Sequence, residues 1–171
     1  MSRARDRQIQ RAKLIRALTA DFYSQEDLRE LFADIDALAI GIAPNSKRWG
    51  SEFRVEGSRR EAAVIHLLDY LNTVGHAQQR GALPVGDLAG TTIGYMVFRT
   101  WADQAIQNYL AYVRKSDEAS GFMGAGFQHF YSLAAALDAW SQERGGHAWH
   151  HGAVLRSGWQ ARMHRRRRRP L

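Results

Sequence analysis

No cysteine occurs among the 171 residues, so neither a disulfide framework nor a thiolate metal site is available, and nothing calls for an oxidising compartment. No stretch approaches the roughly 18 apolar residues that span a bilayer. The segment from Met1 to Lys13 carries Arg3, Arg5, Arg7, Arg11 and Lys13 without the apolar run of a secretory leader. These absences lead to an expectation of an intracellular, cytoplasmic protein that does not insert into membranes. Catalytic signatures are missing as well. Gly121-Phe122-Met123-Gly124-Ala125-Gly126 lacks the lysine and hydroxyl residue that complete a phosphate loop. Asp34 and Asp36 lie too close along a helix to face each other, and the second half supplies no convergent carboxylates for two-metal phosphodiester cleavage. No nucleophile elbow or acid–base pair appears at a useful spacing. The expectation is a non-enzyme with no catalytic residue, no metal and no cofactor.

What is present is enough apolar residue, 45%, for a real core in one domain or two very small ones. The net charge of +7 is unevenly placed. From Arg156 onward there are seven basic residues and no acidic one, which equals the whole excess. Residues 1–16 hold six basic residues against Asp6, which leaves residues 17–155 about five units negative. A mildly acidic body therefore lies between two basic ends.

Periodicity predicts a first helix from about Arg5 to Ala20, with Ile9, Leu14, Ile15, Leu18 and Phe22 on one face and a basic face opposite. Ser24, as an N-cap, would open a second helix carrying Leu28, Leu31, Phe32, Ile35 and Leu38. Gly41 to Gly57, with Pro44 and Gly50, reads as a long loop. Ser58-Arg59-Arg60-Glu61 is a capping box. The third helix that follows would run through Val64, Leu67, Leu68, Leu71 and Val74 and stop at Gly75. Farther along, Ile93 to Phe98 and Phe127 to Tyr131 read as short buried strands. Helices capped by Thr100 and Ser132 would follow them. The expected fold class is α+β, in four parts: a three-helix module over 1–76, a linker over 77–92, a two- or three-stranded sheet with two helices over 93–146, and a disordered His/Trp- and Arg-rich tail over 147–171.

Two stretches resemble known families. Val97-Phe98-Arg99-Thr100-Trp101-Ala102-Asp103, Gly121 to Phe130, and Ser132-Leu133 through Ala139-Trp140 together resemble the N-terminal hybrid-binding domain of eukaryotic-type ribonuclease H, related to the caulimovirus viroplasmin domain. The resemblance covers Gly94 to Trp140. It implies a three-stranded sheet on two helices that binds RNA–DNA hybrids or duplex RNA without cleaving them. Gln128-His129 stands where that family carries paired lysines. Lys13 to Gly75 is similar to the death-like effector-associated domains of prokaryotic conflict systems, which implies a helical adaptor that pairs with copies of itself or with a partner protein through residues 13–75.

The site residues expected from these features are Arg99, Trp101, Gln128 and His129 in the second module and Arg165, Arg166, Arg167, Arg168 and Arg169 in the tail. An aromatic ring such as Trp101 packs on a sugar, while Arg99 and His129 reach phosphates and 2′-hydroxyls across a minor groove. Five consecutive arginines repel one another and order on a polyanion, giving salt-sensitive, sequence-independent binding. His147, His150 and His151 stand close in sequence, but the flanking Gly145-Gly146 and Gly152 argue against the rigid helix that a zinc site there would need. With Trp149 and Trp159 these histidines would instead extend the polyanion surface. The partner expected is nucleic acid or another polyanion. An adaptor, or a structural subunit of a ribonucleoprotein or virion, are the competing classes.

Overall fold

A computed structural model describes residues 3–39, 53, 57–119 and 126–144. It contains α1 (Arg3–Ser24), α2 (Glu26–Ala39), α3 (Arg59–Gln79), α4 (Val85–Ala89), α5 (Thr92–Ala102), α6 (Gln104–Ala119) and α7 (Gln128–Glu143). No strand occurs among the described residues, so the expected α+β architecture is replaced by an all-helical one.

Both expected strands are helical, and the same ambiguity underlies both. A short apolar run looks alike in a buried strand and a buried helix. Ile93 to Phe98 belongs to α5, where Ile93, Met96, Val97 and Thr100 are buried at helical spacing. Thr91 starts this helix by accepting the Gly94 N–H at 3.3 Å, and Thr100 lies inside it rather than capping the next. Asp103 performs that capping for α6, its Oδ1 accepting the Ile106 N–H at 2.9 Å. Phe127 to Tyr131 leads into α7, whose Phe130, Leu133, Ala134, Leu137 and Ser141 repeat every three or four residues on the buried face.

α3 is the central element, packed between α2 and α7. Ser58 Oγ accepts the Glu61 N–H at 3.0 Å, as the capping box predicts. The Glu61 carboxylate reaches one residue farther back than expected and accepts from the Gly57 N–H at 2.8 Å. Gly75 does not end the helix, which continues to Gln79, and the left-handed glycine after it is Gly81. Gly75 instead sits where α7 crosses: a Cβ there would lie 2.2 Å from the His129 carbonyl oxygen.

α5 packs on α2, α4, α6 and α7 and touches α1. One hydrophobic cluster runs through the helices from Phe22 on α1 to Leu137 on α7. The stretch 77–92, expected to be a linker, contributes Leu83, Leu88 and Ala89 to that cluster. Of the long loop over 41–57, all but Phe53 and Gly57 lies outside the described residues. Phe53 is fully buried and meets the Tyr109 ring edge-on at 6.5 Å. Among the described residues no helix is long and apolar enough to cross a membrane.

Candidate nucleic-acid interface

α1 is 22 residues long, about 33 Å at the rise of an α-helix. Its C-terminal half is seated on the body. Phe22 is buried, Ile15 and Leu18 pack against the core, and the Tyr70 hydroxyl donates to the Leu18 carbonyl at 2.9 Å. Burial, with Asp21 and Tyr23 nearby, pushes that hydroxyl well above the ordinary tyrosine range, so it stays a neutral donor. The N-terminal half is different: every residue from Arg3 to Gln10 is exposed. Ile9, expected on the core face, is 44% exposed because at 100° per residue it stands opposite Phe22.

This half is rich in positive charge. Arg3, Arg5, Arg7 and Lys13 in it, and Arg16 just beyond it, are exposed and have no acidic partner among the described residues. Arg11 pairs with Asp87 on α4 at 3.6 Å. The body behind the helix is acidic and much of its positive charge is already paired. Between α3 and α2, Arg60 meets Asp34 at 2.8 Å, Arg59 meets Glu30 at 3.4 Å and His66 meets Asp27 at 2.8 Å. Among the described residues the densest run of exposed cations therefore lies on α1, while Arg80, Arg114 and Lys115 are exposed elsewhere.

The second-module candidates are not brought together. Arg99 turns inward, its side chain only 13% exposed, with Nε 3.3 Å from Asp36 Oδ1 but not aligned for a hydrogen bond. That same oxygen accepts from the Tyr95 hydroxyl at 2.5 Å. Arg99 therefore serves a buried polar contact between α5 and α2, and its charge does not face solvent. Trp101 is half-buried, its ring meeting Phe130 at 5.9 Å and Tyr131 at 5.6 Å. Arg114 lies over the Tyr131 ring at 5.1 Å, so this aromatic cluster already holds a cation.

His129 faces α3 instead. Its Nδ1 is 2.6 Å from Gln79 Oε1 and its ring stands 4.8 Å from that of His76. Asn72 Oδ1 accepts the N–H groups of both His129 and Phe130, at 3.0 and 3.1 Å, and so caps α7 from another helix. Gln128, beside it, is exposed. Arg165 to Arg169 and the cluster of His147, His150 and His151 lie outside the described residues. Among the described residues no group of three or more histidine or acidic side chains is placed to hold a metal ion.

The residues that sequence reading passed over as a site are those of α1. Their signal was present in the surplus of basic residues before Ala17, but only the exposure of the helix separates a projecting arm from a packed amphipathic element. No family model, curated protein or solved structure matches the chain.

Proposed function

We propose that this protein is a non-catalytic, largely sequence-independent nucleic-acid-binding protein in which α1 and the arginine-rich C-terminal segment grip phosphates. The observation that carries the reading is the set of exposed cations Arg3, Arg5, Arg7, Lys13 and Arg16, without acidic partners among the described residues, on a helix whose first two turns stand clear of an acidic body. Each phosphate neutralised releases condensed counterions, so affinity comes from charge and falls with salt. A preference for RNA–DNA hybrid or duplex RNA rests on the resemblance of residues 94–140 alone, since Arg99 is buried and Trp101 and His129 face different neighbours.

The test is fluorescence anisotropy of the full chain with duplex DNA, duplex RNA, RNA–DNA hybrid and heparin across a salt series. Replacing Arg3, Arg5, Arg7, Lys13 and Arg16 by glutamine should flatten the dependence of log K on log salt, by at most about 4.5 on duplex DNA. Truncation after Leu155 should flatten it further. An α1 variant whose affinity and salt slope match those of the parent would remove α1 from the interface. If neither variant nor parent binds any of the four polymers, the function is wrong.

A further inference from the structure

We infer that the groove between the C-terminal half of α1 and the start of α5 seats one base of a single-stranded nucleic acid, with the α1 cations following that strand's backbone. The inference rests on the nucleic-acid-binding reading and adds to it a single-strand site on a surface apart from residues 94–140. The groove is shallow and open, with about 430 Å³ of space above its floor. From α1 it takes Ile15, Arg16, Ala20 and Tyr23, and Thr91 and Thr92 close the opposite side.

Its chemistry is narrow. The Thr91 hydroxyl is committed to its own helix start, donating to the Leu88 carbonyl at 2.7 Å while accepting from Gly94. Thr19, also at the groove, donates its hydroxyl to the Ile15 carbonyl at 2.8 Å. What remains is a largely apolar trough with one aromatic ring and one charged side chain, Arg16, which has no acidic partner among the described residues. A flat ring with apolar faces, its polar edge left toward the open side of the groove and covalently attached to an anion, satisfies both features. A nucleobase joined to its phosphate is such a group, and base–aromatic stacking is indifferent to which base it is.

The surroundings favour a continuing strand over a free nucleotide. At 100° per residue Arg5, Ile9, Arg16 and Tyr23 fall within about 40° of one another, with Lys13 beside them. Lys13 is about 4.5 Å along the axis from Arg16, and Arg5 about 16.5 Å. A line of cations therefore leaves the groove along the exposed half of α1, in the direction a backbone must take once a base is seated. A duplex keeps its bases stacked inside and can use only the cations, not the groove.

The experiment compares the full chain binding a labelled oligothymidylate strand, a duplex of equal length and heparin. Ala20 is exposed on a helix, so Ala20→Leu narrows the groove without disturbing the core and adds no aromatic face. It should weaken strand binding about tenfold, the loss of one stacked base, and leave duplex and heparin binding unchanged. Tyr23→Leu should do the same, and Tyr23→Phe should retain parental affinity. If Ala20→Leu and Tyr23→Leu bind the strand as tightly as the parent while heparin still binds, the groove inference falls and the wider function stands. If strand, duplex and heparin all fail to bind the parent, both fall. Concentration-dependent self-association that Ala20→Leu abolishes would assign the groove to a second copy of the chain and also overturn the inference.

Discussion

A Cβ placed on Gly75 would stand 2.2 Å from the carbonyl oxygen and 2.5 Å from the carbonyl carbon of His129. Neither atom belongs to a side chain that can swing aside, so α3 and α7 would have to separate at the crossing where Val74, Phe130 and Leu133 are fully buried. Alanine gains up to about 1 kcal/mol over glycine in helix propensity. The steric term is larger: overpacking of a tight core costs about 1–3 kcal/mol, and here the obstructing atoms are backbone. Gly75→Ala should therefore lower the stability by up to about 2 kcal/mol net in urea unfolding. Gly90→Ala serves as the control, since nothing lies within 4 Å of a Cβ built there. Equal stability of the two variants would show that the helices are not held at this distance.

Among elements, α2 and α3 are joined on their exposed side by ion pairs, and one of them sets an acid dependence. Partial burial works against ionisation of the Asp27 carboxyl, yet the hydrogen bond and charge of His66 and the Leu28 backbone N–H outweigh it and hold the carboxyl below its ordinary value. The folded value being the lower one, this stabilisation is complete above the unfolded pKa of about 4 and is lost as pH falls through the folded value. The two side chains are 45% and 38% exposed, so solvent screening limits the effect to under about 1 kcal/mol. Asp27→Asn should thus be slightly less stable than the parent at neutral pH, and the gap in urea midpoint should close as pH falls through the folded value. A gap that stays constant with pH would mean that the contact acts through packing and not charge.

The same elements show what the sequence could and could not disclose. The start of α3 was legible because its cap, Ser58 with Glu61, is local. The start of α7 was not, because its cap is Asn72, 57 residues away from His129, and the residue before the helix, Phe127, has a positive φ that no local pattern announces. Gly75 has the look of a stop because a glycine that permits a close crossing is the same in sequence as one that ends a helix. Arg99 looked like a phosphate ligand for a similar reason: its partner Asp36 belongs to another helix. The basic surplus of α1 was visible, whereas its exposure depended on where the body stops.

At the scale of the whole molecule, a division into residues 1–76 and 93–146 meets a core that does not divide there. Leu67, Leu71 and Val74 of α3 belong to the same buried cluster as Leu83, Leu88, Met96, Phe130, Leu133 and Leu137, and α3 packs on α7 more extensively than on α2. A chain ending at His76 would keep α1 and α2 on one side of α3 and uncover the side that α7 occupies. Burial of a large aliphatic side chain contributes about 1.5–3 kcal/mol, and a domain's net stability is only about 5–15 kcal/mol, so exposing a few such residues is enough to unfold the remainder. Residues 1–76 produced alone should therefore show weak or no cooperative thermal unfolding and should bind a hydrophobic dye, while the full chain unfolds in one transition. A fragment that melts cooperatively with the helix content of α1 to α3 would restore the two-module description. It would also make α1 and its cations part of a separable unit whose polyanion binding could be measured without the rest of the chain.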